Sequence, residues 1–145
     1  LGGFLRKTKI NELPQLINIF KGDMSFIGPR PQTQRCFDAF PLSSQASIKK
    51  LRPGLSGIGS IVFRNEEKMM HASNDPDKFY DQIVMPYKGA LEEWYVAHHD
   101  IWSYFTLIFL TISVVLNSSS GLIWILFKDL PPPPADLSQT LGHPH

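Results

Sequence analysis

Three places in the chain carry side chains suited to phosphate chemistry: Glu12 next to Asn11, Arg30 between Pro29 and Pro31, and Arg52 leading into Pro53-Gly54. Each proline fixes its own φ, and the proline that follows Arg30 biases that arginine toward an extended backbone. A guanidinium held this stiffly offers a planar fork of donors that matches phosphate oxygens. Glu12 falls where a helix opens, and the free N–H groups and macrodipole there favour negative charge on side chains and on bound phosphates alike.

The elements that must position these groups follow from periodicity. Ile10, Leu13, Leu16, Ile17 and Phe20 recur at three- and four-residue steps, which predicts a helix from about Asn11 to Phe20 with those residues on one buried stripe. Asn11 suits the N-cap, Pro14 is tolerated in the first turn, and Gly22 supplies a stop. Residues 32–50 repeat the helical pattern in two short pieces anchored by Phe37, Phe40 and Ile48, with a break over Ala39-Phe40-Pro41-Leu42-Ser43. Pro53-Gly54 is a turn, and Ser60-Ile61-Val62-Phe63 reads as a short strand. Residues 64–93 read as polar helix interrupted at Asn74-Asp75-Pro76-Asp77, with most charges on a solvated face.

The pattern Asn11-Glu12-Leu13-Pro14-Gln15-Leu16, then Gly22, Met24-Ser25 and Gly28-Pro29-Arg30-Pro31, and later Leu51-Arg52-Pro53-Gly54-Leu55-Ser56-Gly57, resembles the bacterial sugar transferases, the monotopic phosphoglycosyl transferases. The resemblance runs from Leu1 to about Leu116. It implies transfer of a sugar-1-phosphate from a UDP-sugar to a polyprenyl phosphate at the cytoplasmic face of the bacterial inner membrane, with Mg²⁺. That step initiates exopolysaccharide, capsule or O-antigen synthesis. It further implies that Glu12 holds the metal, that Arg30 neutralises donor phosphate, and that Pro29, Pro31, Arg52 and Glu92 line the substrate site. An apolar re-entrant helix and a basic strand-rich stretch are expected ahead of Leu1, so the chain reads as a fragment.

The departures from the family pattern bear on chemistry. The family's nucleophile is the first residue of an Asp-Glu pair; the same catalytic position here is Asn11. A carboxylate attacks phosphorus to form an acyl phosphate, whereas a carboxamide carries no charge and is a poor nucleophile. Glu92 stands where the resemblance places an Asp, which keeps the charge, and Tyr104 stands where it places another. His98 and His99 lack metal-ligand spacing and read as structural. The alternative to an active transferase is therefore a catalytically silent, membrane-associated binding module of the same fold.

Composition narrows the classes. With 14 basic and 13 acidic residues scattered along 145, no field recruits nucleic acid. The lone Cys36 forms no internal disulfide. From Ile101 to Phe127 the sequence carries no charge, but Asn117-Ser118-Ser119-Ser120-Gly121 breaks the run short of the roughly 20 residues a span requires. Two shorter interfacial helices are expected instead, with Trp102, Tyr104 and Trp124 at the headgroup level and Lys128 snorkelling. The expected architecture is a predominantly helical α+β, monotopic membrane-associated domain over residues 1–128 with short strands, followed by a Pro-rich tail, residues 129–145, that is extended or disordered. Neither the sugar nor the oligomeric state is legible.

Overall fold

The computed structural model describes residues 13–71, 73–116 and 121–143, so Ile10, Asn11 and Glu12 lie outside the described residues. Helix α1 spans Leu13–Lys21 and stops where predicted: Gly22 adopts a φ of +83°, and the N–H groups of Gly22 and Asp23 turn back to the carbonyls of Ile19 and Asn18. Its apolar stripe is not buried. Leu13, Ile17 and Phe20 are 54%, 56% and 91% exposed, because periodicity identifies a face without saying what lies against it.

A two-stranded parallel sheet follows from β1, Ser25–Ile27, and β2, Gly54–Ser56, with Ser25 opposite Gly54 and Ile27 opposite Ser56. Between them lie α2, Gln34–Asp38, and α3, Leu42–Ile48, divided at the predicted break. The strand expected at Ser60–Phe63 is instead part of helix α4, Ile58–Val62, and its terminus. Ile58, Ile61 and Val62 are spaced for one helical face, and a short apolar run fits a buried helix as well as a strand.

Helices α5, Glu66–His71, and α6, Pro76–Phe79, flank the break at Asn74, with Asp75 Oδ1 accepting from the Lys78 N–H at the start of α6. A π-helical turn, Tyr80–Val84, runs into α7, Met85–Ala97, the helix around which the core is packed. Val84, Met85 and Leu91 are wholly inaccessible, and α3 lies so close that a β-carbon on Gly89 would meet Ser44 Cβ at 2.9 Å. The solvated face predicted for this stretch does not extend along α7, where Lys88 and Glu92 are 8% and 7% exposed.

Helix α8, Ile101–Leu116, is capped by Asp100, whose Oδ1 accepts from the Ser103 N–H at 2.7 Å; this bond holds the carboxyl below its usual range. One face buries Leu107, Leu110 and Val114 in the core. The other leaves Ile101, Trp102, Phe105, Phe109 and Ile112 exposed. A second short helix, α9, Leu122–Leu126, follows as expected, although Trp124 is a core residue rather than a surface aromatic. Among the described residues no helix is long and apolar enough to cross a membrane.

The tail corrects the expectation of an extended or disordered end. Helix α10, Ala135–Ser138, folds back so that Leu137 and Leu141 are buried, and Trp124 Nε1 donates to the Leu141 carbonyl at 3.2 Å. Tyr87 donates to the Pro131 carbonyl and Trp94 Nε1 to Asp129, so the prolines run over α7 while the backbone after them returns to the core.

Candidate active site

After Ile27 the chain crosses over β2 at very close range. The Gly54 N–H donates to the Pro29 carbonyl and the Gly28 N–H to the Ser56 carbonyl, both at 2.9 Å. A β-carbon on Gly28 would lie 2.5 Å from the Arg52 carbonyl oxygen, and one on Gly57 would overlap the Gly28 carbonyl. Glycine is required here by space, since none of the three adopts a positive φ. The crossing delivers Arg30, which is exposed, to the edge of a cavity of about 750 Å³, while Pro29, expected in the substrate site, is buried behind it and does not line the cavity.

The lining of that cavity divides into exposed and buried side chains. Arg30, Arg64 and Lys68, with Glu67 beside Lys68, are the exposed charged ones, from the β1 extension and from the turn and helix around α5. Phe63, Lys88 and Glu92 are its buried lining. Lys88 Nζ donates to both carboxylate oxygens of Glu66, at 2.7 and 2.8 Å, and lies 5.2 Å from the Phe63 ring centre and 5.4 Å from that of Tyr80. Burial raises the Tyr80 phenol well above its ordinary range, with Glu66 adding to the effect.

Glu92 is the least satisfied group in the cavity. Burial pushes its carboxyl up to about 7, against the opposing pull of the Gly59 N–H and of the Lys88 charge, and its Oε2 has no hydrogen-bond partner. Such an atom is rare in a folded protein, and here it belongs to a residue that lines the cavity.

The structure therefore brings together Arg30, Pro31 and Glu92 from the sequence-predicted set. Arg52 does not line this cavity. It lines a second one of about 370 Å³ with Ser25, Tyr95, His99 and Tyr104, where the Tyr104 hydroxyl lies 3.1 Å from Ser25 Oγ. Tyr104 thus makes a neutral structural bond at the position where the resemblance places an acid. Burial raises the neighbouring Tyr95 phenol to about 12, with Tyr104 and Glu92 contributing. His98 stacks on Trp94 at 4.6 Å with Nδ1 facing the Trp94 carbonyl, and His99 Nδ1 faces the Val96 carbonyl, so both rings are tied to the backbone at the end of α7.

Sequence reasoning missed Lys88 and Glu66. The available signal was the four-residue interval from Lys88 to Glu92 between Tyr87, Leu91 and Tyr95, which places two charges on a face otherwise built for burial. Asn11 and Glu12, the expected catalytic and metal-binding pair, lie outside the described residues. Among the described residues no three His, Cys, Asp or Glu side chains converge as a metal site. The described lining carries four cationic side chains, Arg30, Arg64, Lys68 and Lys88, against three carboxyls, Glu66, Glu67 and Glu92, with Glu66 committed to Lys88, a balance that suits an anion.

The family described as "Bacterial sugar transferase" matches residues 1–118. The chain is 38% identical over 116 residues to the galactosyl transferase CpsE of Streptococcus agalactiae, covering 80% of this chain and 22% of that protein. It is 34% identical over 121 residues to the undecaprenyl-phosphate galactose phosphotransferase of Salmonella typhimurium, covering 81% and 21%. Against the exopolysaccharide production protein ExoY of Rhizobium meliloti it is 32% identical over 120 residues, covering 81% and 45%. The chain thus spans about a fifth of the first two proteins and under half of the third. With the matched region taking in every strand, the Gly28 crossing and the whole lining of the cavity, the chain belongs to the bacterial sugar transferase family.

Proposed function

We propose that this chain forms the donor-binding part of a protein that transfers a sugar-1-phosphate from a UDP-sugar to a polyprenyl phosphate at the cytoplasmic face of the inner membrane. The observation that carries the reading is the cavity edged by Arg30, Arg64 and Lys68 in a chain of this family, since exposed guanidinium and ammonium groups suit a diphosphate. Relatives named for undecaprenyl-phosphate galactose and N-acetylgalactosamine phosphotransfer support the choice of donor and acceptor.

In this reading Arg30, fixed by Pro29 and Pro31, neutralises charge on the donor phosphates as the bond between them breaks. With a carboxylate at position 11, as in Asn11→Asp, an oxygen of that side chain would attack the β-phosphorus, UMP would leave with the bridging oxygen, and an oxygen of the polyprenyl phosphate would then displace the carboxylate. Mg²⁺ at Glu12 would supply charge neutralisation to the diphosphate. The exposed apolar faces of α1 and α8, with Phe20 and Trp102 at 91% and 71% exposure, suit a monotopic seat in the headgroup layer, and Arg52 suits a lipid phosphate on that side.

Asn11 favours a second reading, in which the same site binds donor without turnover. The two readings separate on UMP release from UDP-sugars by the full-length protein and its Asn11→Asp variant. Equal rates place the nucleophile elsewhere, activity only in the variant identifies a silent binding module, and release by neither, with no donor binding, rejects the assignment.

A further inference from the structure

We propose that the buried end of the cavity, centred on Glu92, binds the hydroxyl groups of the donor sugar, and that Glu92 sets which sugar is accepted. The inference rests on the donor-binding reading above and assigns an orientation within it. Arg30, Arg64 and Lys68 outnumber Glu67 among the exposed lining and suit the diphosphate, whereas the buried Glu92 carboxyl repels phosphate and accepts from a hydroxyl.

The bonding capacity left over at that end matches a carbohydrate. Glu92 Oε2 has no partner, while Oε1 lies where a β-carbon on Gly59 would come within 3.0 Å, so the bonding capacity left over is that of Oε2. Lys88 Nζ carries three donors and spends two on Glu66, which leaves one for an oxygen in the cavity. Phe63, buried beneath the Lys88 ammonium, adds apolar lining beside them. With its titration near 7, the carboxyl can either donate or accept at neutral pH, as a ring hydroxyl can.

The order of events in the proposed transfer gives the same orientation. UMP departs first and needs the open side, whereas the phosphosugar stays until the acceptor arrives and is better held inside. A hydroxyl-reading site also discriminates more sharply than an apolar one, because an analogue that misplaces the hydroxyl leaves buried polar groups unpaired.

The test is calorimetric titration of the full-length protein with UDP, UDP-galactose and UDP-glucose, repeated for Glu92→Gln and Glu92→Asp, with thermal denaturation to establish that each variant folds. The expected result is that both variants lose preference between the two sugars and bind the favoured one at least about tenfold more weakly. Binding of UDP should stay within about twofold. An equal loss for UDP would place the nucleoside at Glu92 and overturn the proposal. Unchanged sugar preference in both folded variants would overturn it as well, and failure of the unsubstituted protein to bind any of the three would reject the donor-binding reading itself.

Discussion

A β-carbon on Gly54 would lie 2.6 Å from both the Cα and the carbonyl oxygen of Gly28, so the two chains cross with no room for a side chain. Nothing flexible can yield at that point, because the opposing atoms are backbone. Gly54→Ala is expected to destabilise the protein by about 3 kcal/mol, read as a lower urea midpoint, and to weaken donor binding by moving Arg30. A midpoint unchanged from the parent would mean that the crossing is looser than described.

Lys88 and Glu66 form an unequal pair, with side-chain exposures of 11% and 28%. Removing the carboxylate strands a buried ammonium, whereas removing the ammonium leaves a carboxylate that water can reach. Glu66→Ala is therefore expected to cost ~2 kcal/mol and Lys88→Met under ~1 kcal/mol in urea denaturation, the usual figures for broken buried pairs being discounted for the exposure of Glu66. The reverse order would show that Glu66, not Lys88, carries the desolvation cost.

Glu92 makes stability depend on pH in a direction opposite to a paired carboxylate. Its folded value of about 7 lies above the ordinary 4.5, so the native state holds this proton more tightly than the unfolded chain does. The contribution is fully present below about 4.5 and is lost as pH rises through about 7. Relative to Glu92→Gln, the parent should therefore lose ~3 kcal/mol of stability between about pH 4 and about pH 8. Parallel stability curves for the two proteins would show that Glu92 titrates normally.

Trp102 reports on the exposed face of α8, since Trp94 and Trp124 are 8% and 7% exposed while Trp102 is 71% exposed. Vesicles containing phosphatidylglycerol should shift tryptophan emission to shorter wavelength, and Trp102→Phe should abolish the shift without altering vesicle co-sedimentation by more than about twofold. Emission indifferent to vesicles would take α8 away from the membrane surface.

What the sequence made legible was local. The Gly22 stop, the break between α2 and α3 and the Asp75 cap all follow from residue types whose backbone preferences act over a few positions. What it hid was decided by distant neighbours. Ile58, Ile61 and Val62 fit strand or helix until the core around α7 selects helix. Arg30 and Arg52 look alike beside their prolines and yet line different cavities. Lys88 reads as a surface charge because its burial depends on Phe63 and Glu66, neither of which adjoins it in sequence, and Glu92 is singled out by the resemblance alone.

The division between the two arginines offers the most direct test of the whole account. Donor affinity should be measured by titrating a UDP-sugar into the full-length protein, Arg30→Ala and Arg52→Ala. If the cavity beside Arg30 holds the diphosphate, Arg30→Ala weakens binding at least about tenfold while Arg52→Ala changes it less than about threefold. Loss confined to Arg52→Ala, with Arg30→Ala binding as the parent does, would contradict the assignment of the donor site.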